Sequence, residues 1–194
     1  KIAENGDYNL SGDRYKETVI YNGKWDFVEL GSVCEFIGGY AFKSTDLKKE
    51  KISNEYLPVI KIGNLTKAGK LNLESVQYYK YEDYLSKYLI LQSNILIAMT
   101  GATVGKVSVA QHSGLLLNQR VGMVRVMKDE ICKSYLKSLL LSDLFYDFCQ
   151  GVAGGGAQGN ISPKEILSFK IPLPPIEIQE QIVTELDSYQ KIID

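Results

Sequence analysis

The sequence predicts an α+β fold: a compact, mostly antiparallel β-body with flanking helices, closed by a C-terminal helix. Three observations predict it. Residues 28–128 are a series of short apolar runs punctuated by Gly and Asn, the mark of short strands and turns. A helical repeat takes over at Glu130, and a second one runs from Ile176 to the end of the chain. Hydrophobic residues make up 45% of the 194, enough for a sizeable core and too many for a disordered chain.

Residues 1–24 are polar and lack periodicity, so they read as an extended lead-in, with the domain proper starting at Trp25. Leu57–Ile62, bounded by Gly63 and Asn64, reads as a strand, as does Ile95–Met99, bounded by Thr100 and Gly101. Lys106–Val109 alternates polar and apolar; Leu115–Leu117 and Met123–Val126 follow as further strands. Ile131, Tyr135, Leu139, Leu140, Phe145 and Phe148 fall near a helical repeat, which predicts one helix from Glu130 to Gln150. Gly151–Asn160 holds five glycines and reads as a loop. Ser162-Pro163-Lys164-Glu165 is a capping box: Ser162 caps, Pro163 suits the first helical position and Glu165 reaches back. A short helix, an extended segment from Phe169 to Leu173 and a stop at Pro174-Pro175 follow. From Ile176 the last helix carries Ile178, Ile182, Leu186, Tyr189 and Ile193 on one apolar stripe.

The charge is unevenly spread. The net charge is only −1, yet Tyr56–Lys128 holds nine basic residues against three acids, which leaves the rest of the chain at −7. Tyr56–Leu73, Tyr84–Lys128 and Phe148–Lys164 contain no acid at all. A polyanion footprint needs Lys and Arg without neighbouring carboxylates, although core strands also lack acids for ordinary reasons. Lys43, Lys61, Lys67 and Lys106 lie beside Gly or Asn turns in or next to these segments, where flexible ammonium groups reach a phosphate backbone. Asn118-Gln119-Arg120 is either a base-reading group, since Asn and Gln suit adenine and Arg suits guanine, or a plain hairpin turn. Gln158 and Asn160 make the Gly-rich loop a binding element or a connector. Thirteen tyrosines lean towards a wet interface.

Catalytic motifs fail on inspection. Gly101–Val107 resembles a phosphate-binding loop, but only three residues separate its glycines, and Val107 stands where a Ser or Thr must hold magnesium. Pro174-Pro175 is flanked by Leu173 and Ile176, so the Asn or Asp and the aromatic ring of an adenine methyltransferase motif are both missing. His112 is the single histidine, which excludes His-based metal clusters and His-paired nucleophiles unless His112 serves alone. Cys34, Cys132 and Cys149 are odd in number and widely spaced, as for buried thiols in a reducing compartment. No apolar run is long enough to span a bilayer, and the chain shows no signal peptide; the expected setting is cytoplasmic, in a fragment of a longer polypeptide.

Several segments together resemble the specificity subunit of type I restriction-modification systems. Trp25–Val33 is similar to the family's domain start, Phe36–Ser44 to its first Gly turn, Leu57–Asn64 to an I-K-I-G-N-L strand, Ile95–Val107 to a T-G-A-T-x-G-K segment, and Leu117–Val121 to an N-Q-R turn. Gln158–Ser162, Ile171–Pro175 and Ile178–Val183 resemble its passage into a spacer helix, and Asn5–Tyr15 resembles the C-terminal end of modification subunits, as in a fused methyltransferase-specificity polypeptide. The resemblance implies a target recognition domain at 25–175 and the start of a coiled-coil-type spacer helix at 176–194. It implies no catalytic site, metal or cofactor in this chain. S-adenosylmethionine and the adenine N6 chemistry belong to a methyltransferase partner, and a restriction subunit joins through the complex. Ser44, Asn64, Thr100 and Thr103, in the matched segments, join the expected DNA-facing set. The stripe on the last helix is expected to meet a second spacer helix or a second copy. The rival reading is a β-rich protein-interaction or carbohydrate-binding domain.

Overall fold

The computed structural model describes residues 25–154 and 159–193; the lead-in at 1–24 and Gln158 lie outside the described residues. The strands are β1 (Phe27–Glu29), β2 (Cys34–Gly38), β3 (Tyr56–Ile60), β4 (Gln77–Lys80), β5 (Leu89–Ile90), β6 (Ile95–Ala98), β7 (Val107–Val109), β8 (Leu115–Leu117) and β9 (Val121–Val126). Helices α1 (Lys133–Leu140), α2 (Asp143–Val152) and α3 (Pro163–Leu167), strand β10 (Lys170–Pro172) and helix α4 (Ile176–Ile193) complete the chain. The α+β expectation holds.

Two four-stranded sheets form the β-body, ordered β2-β9-β6-β7 and β4-β3-β8-β5. The first is antiparallel throughout, and the second holds one parallel pair, β3 with β8, in the register Val59↔Leu116 and Ile60↔Leu117. β1 pairs with β10, tying Phe27–Glu29 to the segment that leads into α4. β6 explains its unbroken apolar run by having both faces covered: Leu96 and Ala98 pack with Ile60 and Leu117, while Ile95 and Ile97 join the core beneath the helices, with Leu136, Phe145 and Ile171. A third, smaller cluster gathers Phe42, Leu47, Val59, Leu85 and Leu116.

The single helix expected over Glu130–Gln150 is two. The chain breaks at Leu141–Ser142, where the Ser142 hydroxyl accepts from Phe145 N at 3.4 Å and starts α2. The break turns both helices so that Leu136, Leu140, Phe145 and Cys149 all reach one core. α2 also takes in Gly151 and Val152, which shortens the expected Gly-rich loop. The capping box forms as expected: Ser162 N donates to Glu165 Oε2 at 2.7 Å, and Glu165 N donates to Ser162 Oγ at 3.2 Å.

α4 begins at Ile176, after Pro174-Pro175, as expected. Its apolar stripe divides. Ile182, with Val183, packs against the domain's own core, so it is not the free partner contact expected of it; Ile178 is half-buried. Leu186 and Tyr189 stay exposed, at 46% and 54%. The side chain of Ile193 lies outside the described set. Fully buried Gln179 fixes the docked end: its Oε1 accepts from Cys132 N at 2.8 Å, and its Nε2 donates to the carbonyls of Glu130 at 2.8 Å and Pro174 at 2.7 Å.

Candidate nucleic-acid interface

Strand direction decides where the loops meet. β2, β3, β6 and β8 all run towards one end of the β-body, and their partners β9, β4 and β7 start from it. The turns after β2 (39–43), β3 (61–64), β6 (99–106) and β8 (118–120) therefore converge there, and backbone bonds zip them together. Tyr40 N donates to Leu117 O at 2.8 Å, Gln119 N to Tyr40 O at 2.9 Å, Asn118 N to Ile60 O at 3.1 Å and Met99 N to Arg120 O at 3.0 Å. The segment 159–161 joins them: Gly101 N donates to Gly159 O at 2.8 Å and Ile161 N to Met99 O at 3.0 Å.

The structure brings together Lys43, Ser44, Lys61, Asn118, Gln119, Arg120 and Asn160 at this end. Gln119 and Arg120 are exposed and Asn118 half-buried, with no side-chain hydrogen bond among the described residues. Lys61, half-buried, donates from Nζ to Gln77 Oε1. Lys67 and Lys106 line a cleft of about 310 Å³ between the β6–β7 turn and the α1–α2 junction, together with Ser142, Asp143 and Tyr146. Among the described residues none of these lysines, nor Arg120, is ion-paired, and only Lys80 and Glu55 form a bridge, at 3.4 Å. Unpaired cations keep their charge available to an outside anion.

Two of the expected site residues, Asn64 and Thr103, are bonded within their own turns. Asn64 is buried and both ends of its amide are engaged: Oδ1 accepts from Lys61 N at 2.8 Å and Nδ2 donates to Asn72 O at 2.9 Å. Thr103 donates its hydroxyl to Thr100 O at 2.9 Å, closing its own turn. The Thr100 hydroxyl is buried with no partner among the described residues. A short polar residue beside a glycine is as good a turn-former as a ligand, and sequence does not separate the two.

One group at this end escaped sequence reasoning. Tyr40, Phe42, Tyr79, Tyr84 and Tyr88 form a cluster, with Tyr40 centred 5.0 Å from Phe42, 5.8 Å from Tyr84 and 5.4 Å from Tyr88, and Phe42 4.8 Å from Tyr79. The Tyr79 and Tyr84 hydroxyls meet at 3.3 Å. The signal was present in the run of tyrosines at 78, 79, 81, 84 and 88, but Tyr40 and Phe42, which complete the cluster, lie far from it in the chain.

No group of three or more His, Cys, Asp or Glu gathers as metal ligands among the described residues. Burial pushes the thiols of Cys34 and Cys149 up to about 12, which removes them as nucleophiles at neutral pH.

Residues 22–194 match the family model described as the type I restriction modification DNA specificity domain. The chain belongs to this family. The specificity domain is 30% identical over 178 residues to the MjaVIII type I restriction enzyme specificity subunit of Methanocaldococcus jannaschii, covering 88% of this chain and 40% of that protein. It is 27% identical over 173 residues to the EcoAI specificity subunit of Escherichia coli, covering 84% of this chain and 28% of that protein. It shares its fold with the HsdS subunit from Thermoanaerobacter tengcongensis, at a TM-score of 0.65 and 24% identity over 91% of this chain and 40% of that one. The chain thus spans two fifths or less of the length of each of these three relatives. Specificity domains are the non-catalytic part of these systems, in keeping with the failed catalytic motifs. Among the described residues no helix is long and apolar enough to cross a membrane.

Proposed function

We propose that this specificity domain binds duplex DNA through the end of its β-body where the turns at 39–43, 61–64, 99–106 and 118–120 meet, and reads one half of a bipartite site there. The observation that carries this reading is the convergence of Asn118, Gln119 and Arg120 with the cation Lys43, the first three free of side-chain bonds and Lys43 without an ion pair among the described residues. Carboxamides and a guanidinium read base edges; ammonium groups hold phosphates. Lys67 and Lys106 supply further phosphate contacts from the neighbouring cleft. Residues 25–175 are the recognition unit, and 176–194 begin a spacer helix that sets the distance to the second half-site.

In this account the domain directs an adenine N6-methyltransferase subunit or domain, which carries S-adenosylmethionine, and a restriction subunit joins through the complex. Leu186 and Tyr189 pack against a second spacer helix or a second copy, and the setting is cytoplasmic. The test is a titration of the chain with mixed-sequence duplex at several salt concentrations. A DNA-binding domain loses affinity linearly in log salt, with a slope near −0.9 per phosphate neutralised. A flat response would favour the sugar- or protein-binding alternative.

A further inference from the structure

The turn at 99–106 is gripped from two sides. On one side α2 ends against it: Gln150, half-buried in the last turn of that helix, donates from Nε2 to the Val104 carbonyl at 2.7 Å. Beside that bond the turn touches the helix closely, because Gly105 has φ +78° and a β-carbon there would fall 2.7 Å from Cβ of Cys149. On the other side the segment 159–161 closes, with Gly101 N donating to Gly159 O at 2.8 Å and Ile161 N to Met99 O at 3.0 Å. Val104 is 1% exposed, so water cannot take the place of Gln150 at its carbonyl.

The grip reaches the reading turn. The Met99 amide donates to the Arg120 carbonyl at 3.0 Å, and Ala98 just before it bonds the far end of the same turn, its amide to Lys106 O at 2.9 Å and its carbonyl to Gly105 N at 3.0 Å. Turn 99–106 is thus bonded at its start to Arg120 and near its end to α2. We infer that Gln150 is a positioning residue for base reading: through Val104 it sets where turn 99–106 stands, and through Met99 it sets how Arg120 meets the bases. The inference rests on the DNA-binding reading above. A guanidinium reads a base only when its paired hydrogen bonds line up, whereas an ammonium on a flexible stem tolerates displacement. Loss of Gln150 therefore falls on selectivity and spares general affinity.

The experiment selects bound duplexes from a randomised pool with the wild-type chain, Gln150→Met, Arg120→Ala and the double variant, and titrates each with a mixed-sequence duplex at several salt concentrations. Gln150→Met removes the donor at nearly the same length. It should lose about fivefold or more of the preference at the position that Arg120→Ala loses. Its mixed-duplex affinity should stay within about twofold of wild type, with the salt slope unchanged. The two losses should not add: the double variant should be as selective as Arg120→Ala alone, because Gln150 acts through Arg120. Gln150→Asn, which keeps the amide but withdraws it by one methylene, is the second probe if Gln150→Met lowers the melting temperature. Wild-type preference in folded Gln150→Met, a loss spread over positions that Arg120→Ala leaves alone, or additive losses overturn the inference. So does loss of the fold in both Gln150 variants, which makes Gln150 a plain structural residue. If wild type selects no sequence, the DNA-reading proposal fails and this inference falls with it; if Arg120→Ala shifts one position and Gln150→Met shifts none, the positioning role alone is wrong.

Discussion

Gly39 lies directly under the backbone of Asn118. A β-carbon at Gly39 would fall 2.1 Å from the Asn118 carbonyl oxygen and 2.7 Å from that of Leu117. Both are backbone atoms in a turn bonded to Tyr40, Ile60 and Met99, so neither can yield without moving the site. Gly39→Ala should therefore lower stability by at least the usual cost of overpacking, about 1–3 kcal/mol, and weaken DNA binding together with it. Gly38→Ala, with nothing within 4 Å of the added atom, is the control and should melt close to wild type. Calorimetry on the pair decides whether contact or glycine content matters.

Gln179 is the second close constraint. It satisfies the amide of Cys132 at the start of α1 and two carbonyls, all in a buried position. Gln179→Leu keeps the volume and strands the Cys132 amide, which should cost about 1–3 kcal/mol in chemical denaturation. A variant as stable as wild type would show that α4 is not docked through this side chain.

The divided stripe on α4 gives opposite expectations for two similar substitutions. Ile182→Glu places a charge against the domain core and should lower the melting temperature. Leu186→Glu alters an exposed position and should leave melting near wild type while weakening self-association or partner assembly in sedimentation experiments. Melting that collapses in Leu186→Glu with assembly intact would place that side chain against the domain itself.

Glu165 carries a pH signature. The backbone amide of Ser162, and secondarily its hydroxyl, hold the Glu165 carboxyl below its ordinary value of 4.5. A carboxylate lowered on folding stabilises the fold above that ordinary value and loses the contribution as pH falls through the folded one. Glu165→Gln should thus be less stable than wild type at neutral pH, and the gap should close in acid. Thermal melts across that range measure it; a gap that widens in acid would contradict the capping geometry.

Much of the fold was legible in the sequence because its strands are short, apolar and punctuated. β6 and β8 stand where their runs of Ile and Leu put them, and the Ser162–Glu165 box and the Pro174-Pro175 stop fixed two boundaries. The rest depended on tertiary information. β2 is interrupted by polar Glu35 and ends in Gly38, so it read as part of a turn; its place is secured by pairing with β9, whose Gly122 leaves room for the Phe36 ring. The parallel pairing of β3 with β8 joins segments far apart in sequence. The break at Ser142 looked like one polar residue on a helix face until the core required both halves to turn inward. At the site, the residues chosen for turn chemistry split into those that face outward, such as Gln119 and Arg120, and those that close the turn, such as Asn64 and Thr103. Local sequence is the same for both; burial separates them.

The central claim is that the Asn118–Arg120 turn reads DNA sequence. The most direct measurement is selection of bound duplexes from a randomised pool, by the wild-type chain and by an Arg120→Ala variant of equal melting temperature. The account predicts that wild type enriches a short defined sequence, and that Arg120→Ala still binds DNA but loses preference at one position of it, with about 1–3 kcal/mol of specific affinity. No enrichment by wild type, or an identical enriched sequence from the variant, would contradict it.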